Sequence, residues 1–200
     1  MPGTGDYWIR RWPAQLWRCA CWAEKKKQRN TPCGSKTAVG GTTRSAGAWR
    51  GEERIAHSQR VAEGSLNRFI FRLTFASPAL EAYDAAERIL EILFPDGNYQ
   101  HYHNVLQYTA QSKAVILCRE SRFAEALEEL RKAKYHAERM TEHSRKCEYR
   151  FTCPLFDRVW GEKQPTDSQV TDLDDFRRYL DVKTCFDALR DSEEFKALYA

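Results

Sequence analysis

Between residues 61 and 200 the apolar residues recur at steps of three and four. Tyr83, Ala86, Leu90 and Leu93 follow one another at steps of three, four and three, and the same order of aromatic, small, leucine and apolar residue returns at Phe123, Ala126, Leu130 and Ala133. Such steps place four side chains on one face of an α-helix, and an alanine in the row marks where a neighbouring helix comes close. Repetition of the unit predicts stacked helical hairpins, because a single hairpin cannot bury its apolar face alone. The fold class expected is all-α: antiparallel helical hairpins forming a short solenoid.

The same periodicity sets the individual elements. Leu66, Phe69, Ile70 and Leu73 fit the i, i+3, i+4, i+7 template of a helix beginning near residue 61. Ser77-Pro78 offers an N-cap and a first-turn proline for a second helix, which runs to Phe94 and stops at the turn signal Pro95-Asp96-Gly97-Asn98. A third helix over His103 to Glu120 carries Leu106, Ala110, Ala114 and Leu117 on one face, and Ser121-Arg122 leads into a fourth from Phe123 to about His143. Short connections of this kind make neighbours antiparallel. Glu125, Glu128, Glu129, Lys132, Glu138 and Glu142 give the fourth helix a charged face, read as solvated, with Glu128 placed to pair with Lys132. Tyr149 to Cys153 is expected to be extended before Pro154, and a short helix to start there with Leu155, Phe156 and Val159; Gly161 to Asp167 reads as a polar loop. Thr171 and Asp174 form a capping-box pattern ahead of Leu173, Phe176, Tyr179 and Leu180, and Ser192 opens a last short helix with Phe195 and Leu198 facing inward.

Residues 1–60 change the picture. Five of the six tryptophans (Trp8, Trp12, Trp17, Trp22, Trp49) lie there beside Lys25-Lys26-Lys27-Gln28-Arg29, and ten of the eighteen residues from Gly34 to Gly51 are Gly, Ser or Thr. Such a composition has too little to pack to offset its backbone entropy, so this arm is expected to be disordered. The net charge of +4 is divided: residues 1–72 hold 14 Lys and Arg against 5 Asp and Glu, and residues 73–200 hold 18 against 23. A basic arm can reach nucleic acid or acidic lipid, but charge alone chooses no partner. There is no run of eighteen apolar residues and no apolar signal segment at the start, so a cytoplasmic location without a membrane span is expected, with the seven cysteines as free thiols.

Residues 114 to 133 (Ala-Val-Ile-Leu-Cys-Arg-Glu-Ser-Arg-Phe-Ala-Glu-Ala-Leu-Glu-Glu-Leu-Arg-Lys-Ala) resemble the core of a tetratricopeptide repeat. In that likeness Ala114 is the small residue and Leu117 the large one of helix A, while Phe123, Ala126, Leu130 and Ala133 belong to helix B; Tyr83 to Leu93 look like the preceding helix B. Leu93 to Tyr99, Tyr149 to Asp157, and Cys185 to Arg190 through Phe195 to Leu198 resemble the carboxy-terminal half of bacterial helix-turn-helix transcriptional regulators of the Cro/repressor class, over roughly residues 66 to 200. The resemblance implies a tetratricopeptide-like domain of a transcriptional regulator that self-associates or senses a signal, with a free-standing scaffold binding a client protein as the alternative. Residues 1–60 show no recognition-helix pattern, so DNA contact would need a helix-turn-helix domain not evident in this chain. Their bias also suits a truncated or frame-shifted start of a longer regulator.

The tetratricopeptide resemblance, laid on the third helix, implies that Tyr108, Gln111, Val115, Cys118 and Arg119 lie on the side that lines the concave groove in such proteins, where an arginine and an amide beside an aromatic suit a peptide backbone or carboxylate. The competing reading makes Val115 and Cys118 core and Arg119 solvated. His101, His103, His136, His143, Cys147 and Cys153 lack paired-ligand spacing, as do Cys19, Cys21 and Cys33, so no metal and no other cofactor is expected. Gly34-Ser35-Lys36-Thr37 lacks the order of a phosphate loop, and Asp172, Asp174 and Asp175 read as helix-start charges. No nucleophile, base and carboxylate share a spacing logic, so the chain is expected not to be an enzyme.

Overall fold

In a computed structural model of the protein the described residues are 51–76, 79–162 and 170–200. They are mostly helical: α1 (Glu52–Ala76), α2 (Leu80–Leu93), α3 (Tyr102–Arg119), α4 (Phe123–Arg145), α5 (Asp172–Val182) and the short α6 (Glu193–Lys196), with a 3-10 helix at Thr184–Leu189. Two short strands, β1 (Glu148–Arg150) and β2 (Trp160–Glu162), pair antiparallel between α4 and α5. The all-α expectation is corrected at that point. Residues 154–158 form turns where a short helix was expected, with Phe156 and Val159 buried and Leu155 exposed, and the loop assigned to Gly161 onward begins as a strand.

The helix α1 starts at Glu52, ahead of the boundary placed at residue 61, with Glu52 and Glu53 near the positive end of its dipole. Ile70 and Thr74 are its fully buried residues, Leu66 and Leu73 pack beside Ile70, and Phe69, expected on the same face, is instead 53% exposed. Ser77 and Pro78 lie outside the described residues; α2 opens at Leu80 from Ala79, whose extended backbone (φ −132°, ψ 150°) is the N-cap without a side-chain bond. Phe94 ends α2 and Gly97 follows at φ 74°, a conformation that glycine adopts at no steric cost.

Helix α3 ends in a Schellman arrangement. The Arg122 amide donates to the Leu117 carbonyl (2.9 Å) and the Ser121 amide to that of Cys118 (3.1 Å), with Ser121 at φ 60° in the place that usually takes glycine. The reversal lays α4 along α3, the most extensive packing in the molecule, and α5 packs on α4. Helix α5 carries the reciprocal capping box of Thr171 and Asp174, and Ser192 accepts from the Phe195 amide at the start of α6.

Two apolar clusters result. One gathers Ala110, Ala114, Leu117, Ala126, Leu130, Ala133, Phe176, Leu180, Phe186, Phe195 and Leu198; the other gathers Ile70, Ala86, Leu90, Phe94, Tyr102, Leu106, Phe151 and Phe156. The two copies of the spacing motif therefore serve different cores. They also differ at their ends, since Tyr83 is buried where Phe123 is 37% exposed, and Leu93 is half-buried where Ala133 is fully buried. The solvated reading of α4 is corrected at Glu129, which is 7% exposed, and Glu128 pairs with Arg131 instead of Lys132.

Candidate functional site

The α3 face expected to line a groove is largely covered. Tyr108 is half-buried and stacks on Phe75 of α1, with ring centroids 4.2 Å apart. Gln111 is 2% exposed beneath α5, whose Tyr179 hydroxyl donates to the Gln111 carbonyl at 3.3 Å. Cys118 is buried in the first core, burial pushing its thiol up to about 11, and Val115 packs against the same core. Arg119 alone of the five is exposed. Helices α1 and α5 close over this surface, so the reading of Val115 and Cys118 as core is the one the geometry follows.

An open concavity lies elsewhere, between the first turns of α1 and the strand pair. It is a recess of about 690 Å³ lined by Glu52, Glu53, Ala56, Glu148, Tyr149, Arg150, Asp157, Arg158 and Trp160. Its architecture starts from the ladder, in which Glu148 faces Glu162, Tyr149 faces Gly161 and Arg150 faces Trp160. The Tyr149 ring lies on Gly161 so closely that a Cβ there would come within 2.5 Å of Cε1. Only glycine leaves room for that ring. Trp160, on the opposite side of the pleat from its glycine neighbour, remains 56% exposed.

Helix α1 grips the turn between the strands. The Gln59 Nε2 donates to Asp157 Oδ1 (2.9 Å) and to the Pro154 carbonyl (3.2 Å), and its Oε1 accepts from the Arg158 amide (2.8 Å). Arg158 bridges to Glu52 at 3.0 Å, and Arg150 Nε donates to the Asp157 carbonyl at 3.1 Å. On the far side Asn98 and Gln100 donate to the Arg150 carbonyl at 3.1 and 3.0 Å, and Thr152 bonds Asp96. Phe94, Tyr102, Phe151 and Phe156 pack beneath, with centroid separations of 5.3 to 6.2 Å. The recess is thus rigidly backed by an aromatic core.

Charge is distributed unevenly around it. Arg158 engages Glu52 and Asp157, whereas the carboxylates of Glu53 and Glu148 have no ion pair or hydrogen bond among the described residues. Glu148 and Glu162 are like charges placed opposite each other, an adverse cross-strand pair.

Two buried polar sites lie elsewhere, the second joining two of the histidines weighed as metal ligands. Lys113, 8% exposed at its side chain, meets Asp84 (2.8 Å), Glu87 (2.9 Å) and Glu129 (3.1 Å), and Lys132 reaches the same Glu129 at 2.7 Å. Burial acts to lower the Lys113 pKa, but the bonds to Asp84 and Glu87 outweigh it and hold the group charged well above the usual lysine range. The residue is a structural cation, unsuited to act as a nucleophile. His103 Nδ1 lies 2.9 Å from His136 Nδ1, both rings kept neutral, with pKa values lowered to about 4 and about 3, chiefly by burial. The other metal candidates stay apart: His101 pairs with Glu63 at 3.1 Å, Cys147 is exposed, Cys153 is buried, and the described residues contain no group of three potential metal ligands. Cys19, Cys21, Cys33 and the Gly34-to-Thr37 stretch lie outside the described residues.

Compared with protein-family models, curated proteins and solved structures, the chain matches none. No described helix is long and apolar enough to cross a membrane.

Proposed function

We propose that the chain is a non-enzymatic interaction domain that binds a peptide or protein partner, and that it does so through the recess between α1 and the strand pair. The observation that carries this reading is Trp160. A tryptophan 56% exposed at the wall of a preformed recess, on a strand paired with β1 and following a turn held by Gln59, has the character of an interface anchor. Large exposed aromatics in rigid concave settings gain more from a partner's contact than they lose in ordering.

The domain reads as a short tetratricopeptide-like stack. In support, α2 packs on both α1 and α3, and α4 packs on both α3 and α5, the succession that stacked hairpins require. Its role in a transcriptional regulator rests on the likeness of residues 66 to 200 to the carboxy-terminal half of such proteins. Duplex DNA binding measured across a salt series tests that role. A steep fall in affinity with salt is expected if the basic amino-terminal third engages DNA, and no binding at low salt refutes it in this chain.

Selection from a displayed peptide library tests the interaction reading itself. Peptides retained by the full chain and lost by Trp160→Ala are expected. A library that yields no binder, or binders indifferent to that change, overturns it.

A further inference from the structure

We infer that the recess receives an arginine side chain of a basic peptide segment in a partner protein, held by Glu53 and Glu148 against the face of Trp160. The inference rests on the interaction reading above and names the chemistry of its partner.

Three features of the recess converge on a cation. The first is charge complementarity. Four carboxylates line it against two guanidinium groups, so the recess is net negative; Arg158 is paired with Glu52 and Asp157, while Arg150 donates to the Asp157 carbonyl and has no ion pair among the described residues. Neither Glu53 nor Glu148 has an ion pair among the described residues, although Arg150 lines the same recess. They come from different elements, the first turn of α1 and the first strand, so the same wall presents acceptors from two directions.

The second is the ladder itself. Glu148 opposite Glu162 is a repulsion that the fold tolerates, and an incoming cation would convert it into an attraction. The third is the exposed indole of Trp160, the side chain whose π face attracts cations most strongly. Arginine suits this combination better than lysine, since its planar guanidinium can stack on an indole and still direct paired N–H groups at carboxylates. An acidic segment would meet unpaired carboxylates, and a purely apolar one would bury them without partners, so both are disfavoured on the same grounds.

The test uses the full chain and a short glycine–serine peptide carrying two arginines, with matched peptides in which citrulline, glutamate or leucine replaces each arginine. Binding is followed by tryptophan fluorescence, with the Trp160→Phe protein identifying the Trp160 contribution. The arginine peptide is expected to bind and to weaken as salt is added, and the citrulline peptide to bind about tenfold less well, the loss of a charge-assisted contact worth about 1.4 kcal/mol. Glu53→Gln with Glu148→Gln should weaken arginine-peptide binding to a similar degree while leaving the circular dichroism spectrum intact. Trp160→Leu, which keeps an apolar wall, should lose the remainder.

Equal affinity for the arginine and citrulline peptides overturns the inference. So does a Trp160-dependent preference for the glutamate or leucine peptide, which leaves the interaction reading standing with another partner chemistry. Self-association of the chain that Trp160→Leu abolishes would put a second copy in the recess and also overturn it. A Trp160 signal indifferent to every peptide removes the inference and the site together.

Discussion

Lys113 lies in the middle of α3 with its ammonium between carboxylates of α2 and α4, so one side chain ties three helices. Truncating it leaves Glu87 and Glu129 facing each other in a largely buried place. Lys113→Met is expected to cost about 3–5 kcal/mol in denaturant unfolding, as removal of one member of a buried ion pair does. A loss below about 1 kcal/mol would show that water already screens the group. The pair His103 and His136 makes a second prediction at this scale. Both folded-state pKa values lie below the ordinary histidine value of about 6.5. The unfolded chain therefore binds more protons than the folded one between that value and about 3, and the stabilisation, complete above about 6.5, is lost progressively as pH falls. Urea unfolding at a series of pH values should show it, and replacing both rings by Asn should flatten the slope between pH values of about 6.5 and 4.5. Below that range Glu63, Asp96 and Asp174, whose pKa values are lowered, contribute in the same direction. Neither pairing was legible in the sequence, although both histidines stand among its metal candidates. Periodicity identifies an apolar face, but it is silent on which charged residue on a helix surrounded by others will be buried and which will be solvated.

Helix ends and close crossings decide the next scale. Ser121 occupies the left-handed position of the α3 Schellman motif, a conformation that costs a residue with a Cβ about 1 kcal/mol relative to glycine. Ser121→Gly should raise the melting temperature, and an unchanged or lower one would show that unfolded-state entropy prevails. Ala126 is fully buried where α4 meets its neighbours, and Ala126→Trp should destabilise the domain by at least about 1–3 kcal/mol through overpacking. An unaffected melting curve would place the residue at the surface. In the strand pair, Gly161→Ala puts a methyl into the Tyr149 ring and should destabilise the ladder, seen as a shift of the Tyr149 ring resonances. The four long helices were legible because each carries enough turns for the apolar spacing to stand out, and Thr171 with Asp174 was legible because a capping box is local chemistry. The strands were not. Three residues each are too few for alternation to register, and their pairing joins segments separated by a connection whose length sequence patterning does not constrain.

For the molecule as a whole, the repeat spacing located helices correctly but said less about what surrounds them. Tyr83 and Phe123 occupy equivalent places in the motif and unequal places in the fold, because α2 is covered by α1 while the start of α4 stands at the exposed end of a turn. The same long-range packing closes the expected groove on α3 with Phe75 and Tyr179 and opens a recess where β2 meets the start of α1. Patterning does not single out Trp160, which stands at the edge of a stretch that reads as polar, although Trp-Gly-Glu opposite Glu-Tyr-Arg carries the out-in-out order of a strand pair. Partner contact is expected at this recess and not on α3. Backbone amide shifts of the full chain, followed while a peptide selected from the library is added, address it directly. Changes concentrated at Glu52, Glu53, Ala56, Tyr149 and Trp160 are expected. Changes concentrated at Tyr108, Val115 and Arg119 instead would contradict it.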